Sequence, residues 1–217
     1  MYTQSGRSMV EMLGVLAIIG VLSVGAIAGY SKAMMKYKLN KHAEQMNTVI
    51  NAVARNAHSF DNLSVRDSSN IITPYFIKMG EIPTEMVKTN NNNYVYDIFG
   101  QQWQIYLYDD EFIYLTSFQE DGSSFLSLNS PDSLAICQNI LTAAKENSDN
   151  MHAITIWTSN SASEHAYWLW GDKYCNNTYM ELGYACLKNL TLDDIYTTCA
   201  VHAKGGAGIF QFGWLRI

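Results

Sequence analysis

Proline is scarce in this chain of 217 residues: there are three, at Pro74, Pro83 and Pro131. None lies in the first third, so nothing there forces a helix to break. Charge is thin as well, at 16% of residues, and residues 12–31 carry none. Residues 42–217 hold nine Lys/Arg against nineteen Asp/Glu, with no basic cluster interleaved with aromatics, which excludes a surface built to neutralise phosphates; no nucleic-acid partner is expected. The four cysteines lack the paired CxxC spacing of structural zinc sites, and His42, His58, His152, His165 and His202 include no pair at HExxH spacing. No G-x-S-x-G nucleophile motif is present. Gly205, Gly206, Ala207 and Gly208 lack the Lys-Ser/Thr pair of a phosphate loop and precede a strand pattern, so they read as a turn. Asp193 and Asp194 read as the first turn of a helix, favoured there by the helix dipole, in preference to a calcium site. The expectation is a non-enzymatic protein with no catalytic set, no metal and no cofactor.

What is present begins with an apolar run. Residues 12–28 are apolar or small, with Ser23 the only polar one. At 1.5 Å per residue they make a helix of roughly 26 Å, close to the thickness of a bilayer core. Gly14, Gly20, Gly25 and Gly29 would weaken a water-exposed helix but are common where membrane helices approach one another. Glu11 stands at the edge of this run. A secretory signal peptide would want a basic leader, and MYTQSG has none; a plain membrane anchor leaves Gly6 and Glu11 unexplained.

Gly6, then a residue to be exposed as a new N-terminus, then a glutamate at the fifth position after that cut and an uninterrupted apolar helix: this order resembles the type IV prepilin signature. The resemblance implies cleavage between Gly6 and Arg7 by a prepilin peptidase, leaving Glu11 as the fifth residue of the mature chain. It further implies that Glu11 pairs with the new α-amino group of a neighbouring subunit. Partners would be other pilin subunits and an inner-membrane assembly platform. The globular domain would lie in the periplasm, and outside the cell after assembly. Arg7 is basic where the family usually starts with a hydrophobic residue. Lys32, Lys36, Lys38 and Lys41 follow the apolar run, and the positive-inside tendency alone would place the globular domain in the cytoplasm. A minor pseudopilin of a secretion or DNA-uptake machine is the alternative within the family, and a signal-anchored periplasmic enzyme is the alternative outside it.

Beyond Tyr30 the apolar residues thin to a stripe at Met35, Leu39, Ala43, Met46, Ile50, Val53 and Ala57, spaced as one face of a helix. The expected organisation is a leader at 1–6, a membrane or filament-core helix at 7–30, its amphipathic half at 31–60, and a globular domain at 61–217. Residues 61–93 hold the early turn signals and read as a surface-lying connection, with a short helix between Thr73 and Met79. WQIYLYDDEFIYLTSF reads as a hairpin turning at Asp109-Asp110. Ser130-Pro131-Asp132 opens a helix with Leu134, Cys137, Ile140, Leu141 and Ala144 on its apolar face. Strands follow at 153–157 and 166–170, then a cysteine-bounded segment, a short helix capped by Thr191, and a closing strand in IFQFGWLRI with Phe210, Phe212 and Trp214 on one face. The fold class is α+β, a long N-terminal helix packed on an antiparallel sheet. The aromatics at strand spacing read as core in preference to a ligand surface.

This element order is similar to that of type IVb pilins, with Phe99-Gly100 ahead of the hairpin, Cys137 in its helix and Cys199 before the last strand. Four cysteines allow three pairings. The turn residues Asn176, Asn177 and Gly183 make a local Cys175–Cys186 bridge easy to close, and the resemblance to the disulfide-bounded C-terminal region of pilins implies Cys137–Cys199.

Overall fold

The structure is a computed structural model, and it describes residues 9–61, 63, 69–89, 91–118, 126–127, 131–160, 163–175, 185–203 and 207–216. With no proline to interrupt it, helix α1 runs from Met9–Asn56 for 48 residues and ends in a 3-10 turn, Ala57–Phe60. Two units result, residues 1–38 and 39–217. The division falls inside α1, later than the change at residue 31 that composition indicates. Leu39 marks it physically, because it is the first residue of α1 that packs against the hydrophobic core, while residues 36–38 stay exposed.

In the second unit, α1 presents Met46, Val49, Ile50, Ala52 and Val53 to that core. The other helices are α2 (Thr73–Lys78), α3 (Pro131–Glu146) and α4 (Leu192–Ala203). The strands are β1 (Ser69–Ile71), β2 (Val95–Tyr96), β3 (Gln102–Tyr108), β4 (Phe112–Phe118) and β5 (Leu126–Ser127), followed by β6 (Ala153–Asn160), β7 (Ser163–Trp170), β8 (Ala185–Cys186) and β9 (Ala207–Leu215). They form one sheet in the order β1-β3-β4-β9-β6-β7-β8, with β2 added on β3 and β5 on β9. All pairings are antiparallel except β7 with β8. The fold is α+β, as the patterning indicates.

The β3-β4 and β6-β7 hairpins do not touch each other through their own edges. The closing strand β9 enters between β4 and β6 and pairs with both. One row of side chains then crosses five strands, Ile105, Leu115, Phe212, Ile154 and Leu169, each fully buried. Beside it Ser117 Oγ accepts the Phe210 N–H at 2.9 Å, so this buried hydroxyl is satisfied. The β3-β4 turn has Asp109 at φ 45°, a left-handed conformation that a short polar side chain tolerates.

The segment 61–93 departs from the sequence reading. It is not merely a surface-lying connection: β1 extends the sheet beside β3, and Ile72, Phe76, Ile82 and Met86 enter the core. Beyond β1, Thr73 Oγ1 accepts the Ile105 N–H (2.8 Å) and donates to the Ile105 carbonyl (3.2 Å), standing in for the next strand residue. Turn residues interrupt the apolar residues here into runs of one to three, too short to show a periodicity, yet these four are buried.

Candidate functional site

The N-terminal unit is unusual for what it leaves uncovered. From Val10 to Ile27 the large apolar side chains are 48–77% exposed. Glu11 lies in the first turn of α1, exposed, where the helix dipole favours a carboxylate. A Cβ added at Gly14, Gly20, Gly25 or Gly29 would meet nothing within 4 Å, so no contact within the described residues demands glycine there. The two hydroxyls nearby are satisfied within the helix: Ser23 Oγ donates to the Ile19 carbonyl (2.7 Å) and Ser31 Oγ to the Ile27 carbonyl (3.0 Å). Such back-bonding lets polar side chains sit in an apolar medium. Among the described residues one helix is therefore long and apolar enough to cross a membrane, and its apolar window is not buried by them. Gly6 and Arg7 lie outside the described residues.

The second half of α1 is held by polar anchors that periodicity does not mark. Asp97, ahead of β3, accepts the N–H groups of Phe99 (2.9 Å) and Gln101 (3.0 Å) at Oδ1 and the Trp103 indole N–H (3.0 Å) at Oδ2. Buried His42 brings Nε2 to 3.4 Å from the same Oδ2, an ion-pair distance outside hydrogen-bond geometry. Gln45 Oε1 accepts the Ile98 N–H at 2.9 Å. Gly100, at φ 82°, makes the tight return that closes this loop. On the other side, α3 and the turn after it reach α1 through Asn139 Nδ2 to the Leu39 carbonyl (2.8 Å) and Asn147 Nδ2 to Asn47 Oδ1 (2.9 Å).

The cysteines are joined as two disulfides, Cys137 with Cys199 (Cα–Cα 5.8 Å) and Cys175 with Cys186 (5.6 Å). The first clasps α3 to α4 inside the core, where both sulfurs are buried. Thr191 caps α4: its Oγ1 accepts the Asp194 N–H (3.1 Å) and Asp194 Oδ2 accepts the Thr191 N–H (2.8 Å). The Thr191 hydroxyl, donating to Asp194 Oδ2 at 2.7 Å, and then the Thr191 backbone N–H hold the Asp194 carboxyl below its ordinary range. Among the described residues no three His, Cys, Asp or Glu side chains gather as a metal site. Gly205 and Gly206 are outside the described residues, while Ala207 and Gly208 begin β9.

The aromatics divide between two faces. Trp103, Phe210, Phe212 and Trp214 are core. Tyr106, Phe112, Tyr114, Trp168 and Trp170 are half-buried on the opposite face, and Tyr108 there is 42% exposed. Ring contacts join them continuously, from Tyr106–Tyr114 (5.7 Å) and Phe112–Tyr114 (5.6 Å) through Phe112–His152 (5.4 Å) to His152–Trp170 (5.0 Å) and Trp168–Trp170 (5.6 Å). The Tyr114 ring covers Gly213 so closely that a Cβ there would lie 2.9 Å from Cε1. Burial pushes the Tyr114 hydroxyl up to about 12 and lowers His152 from its ordinary value. This face corrects the reading of the aromatics as core. The signal was that Tyr106 and Tyr108 alternate with Ile105 and Leu107, so that both phases of β3 are apolar.

No family model, curated protein or solved structure matches this chain.

Proposed function

We propose that this protein is a structural subunit of a type IV pilus or related filament, held in the inner membrane by α1 before assembly and joined to other subunits through that helix. One observation carries the reading: Glu11 sits in the first turn of a helix whose first half leaves its apolar side chains uncovered among the described residues. An uncovered stripe of this length needs lipid or further helices. The four glycines, unneeded for packing inside the chain, suit close approach of neighbouring helices. In this reading a prepilin peptidase cuts between Gly6 and Arg7, the globular domain lies in the periplasm, and Glu11 is neutralised among apolar helices by the new amino group of another subunit. Removing one member of such a buried pair typically costs about 3–5 kcal/mol. No catalytic role is assigned.

The half-exposed aromatic face favours a second reading, a minor pseudopilin that binds partner pilins or cargo through its sheet. N-terminal mass spectrometry of membrane-extracted protein tests the shared step: a mature chain beginning at Arg7 is expected, and intact Met1 in assembled material rejects both readings. Glu11→Ala should leave the domain folded and anchored but abolish or strongly reduce filament yield; equal yields would remove the proposed role of the carboxylate.

A further inference from the structure

Lys32, Lys36, Lys38 and Lys41 look alike in the sequence, and the structure separates them. Lys41 is paired with Glu44 (3.2 Å) and Glu85 (3.0 Å). Among the described residues no carboxylate lies within 4 Å of Lys32, Lys36 or Lys38. Nor does α1 offer them one: between Glu11 and Glu44 there is no acidic residue, so none of the three has a partner three or four positions away. Lys32 and Lys36 instead face each other as like charges at i, i+4, an arrangement that weakens a helix unless an external anion relieves it. Exposed beside them are Tyr30 (67%) and Tyr37 (57%), amphipathic side chains of the kind enriched at membrane–water interfaces.

We propose that Lys32, Lys36 and Lys38 form a collar that binds the phosphate headgroups of anionic phospholipids; this rests on the reading of residues 9–30 as the membrane anchor. At 1.5 Å per residue, Lys32 lies about 6 Å past Ala28, the last residue of the apolar run, and Lys38 about 15 Å past it. The headgroup layer is about 5–8 Å deep on each side, and lysine stems bend back along a helix toward it. All three ammonium groups thus fall inside the headgroup layer or about one Debye length from it. The acidic globular domain of a second copy is a rival counter-charge, but the collar directly abuts the apolar run, where lipid phosphate is the nearest and densest anion.

The test uses the full chain in bilayers of mixed phosphatidylglycerol and phosphatidylcholine, with spin-labelled lipids reporting which headgroup occupies the protein's boundary. Carbonate extraction is run in parallel. Wild type should resist carbonate and favour phosphatidylglycerol by about threefold or more, a preference that fades in high salt. Lys32→Gln/Lys36→Gln/Lys38→Gln should stay anchored with a ratio near one, and Lys41→Gln should keep the wild-type ratio. Extraction of the wild-type protein by carbonate would overturn the anchor and the collar together. An anchored wild type with a ratio of one, or an unchanged ratio in the triple variant, overturns the collar alone. If the triple variant keeps its lipid ratio but loses self-association, the lysines belong to a second copy's acidic surface and the lipid proposal is rejected.

Discussion

The two halves of α1 share one backbone and opposite surroundings. Residues 9–38 put apolar side chains outward on every side, whereas the half beyond Leu39 buries a stripe and two polar side chains, His42 and Gln45. In the first half the large apolar side chains from Val10 to Ile27 are uncovered among the described residues. The second half owes its place to the sheet, to the Asp97 loop and to α3. Helix alone therefore says little about role. What decides it is whether the apolar surface is satisfied within the chain.

The largest expected effect comes from removing what holds the second unit together. On the chain-entropy account, the Cys137–Cys199 bridge, with a sequence separation of 62, stabilises by about 4 kcal/mol, and Cys175–Cys186, with a separation of 11, by about 3 kcal/mol. Cys137→Ser/Cys199→Ser should therefore lower the denaturation midpoint more than Cys175→Ser/Cys186→Ser, as measured by chemical denaturation of detergent-solubilised protein. The reverse order would show that the local bridge governs the domain.

Next in size is a direct test of the two halves. Ile50→Ala removes buried methyl and methylene groups from the core and should cost about 2–5 kcal/mol. Ile18→Ala, on the exposed half, should leave the thermal transition of the domain within about 0.5 kcal/mol of wild type. Comparable losses from both would erase the distinction drawn here.

The two faces of the sheet supply a smaller contrast. Gly213→Ala forces the Tyr114 ring off the strand and should cost about 1–3 kcal/mol, the usual range for overpacking. Its near-ultraviolet circular dichroism should change while the far-ultraviolet signal persists. An unaltered near-ultraviolet spectrum would mean that the ring does not rest on Gly213.

The smallest effect is a pH slope. Burial lowers His152 below its ordinary 6.5, so the unfolded chain binds the proton more readily than the folded one. The stabilising effect of keeping the imidazole neutral is complete above 6.5. It begins to fade as pH falls through that value and is gone below the depressed folded value. Urea midpoints should fall with acidification over this window, and His152→Gln should flatten the slope there. An unchanged slope in the variant would assign the effect to other groups.

Much of the architecture was legible because it is local. The apolar run and the stripe from Met35 to Ala57 report the helix; Thr191 with Asp194 reports a cap; the apolar–aromatic runs around Asp109 report a hairpin. The loop at Asp97 and Ile98 was not legible, since His42 and Trp103, which meet Asp97, and Gln45, which meets Ile98, come from two separate elements and follow no spacing rule. Neither were Ile72, Phe76, Ile82 and Met86, which lie in apolar runs of one to three residues broken by turn residues.

Sequence by itself determined the long helices and the longer strands, and that residues 12–28 demand an apolar environment, because propensity, periodicity and transfer from water act residue by residue. Tertiary structure decided that β9 enters between β4 and β6, that Lys41 finds Glu85 while Lys32, Lys36 and Lys38 find no carboxylate among the described residues, and that one set of aromatics is core while another forms a half-exposed face. Those outcomes depend on which distant segments meet, and alternation along a strand specifies which side is buried without specifying the neighbour that buries it.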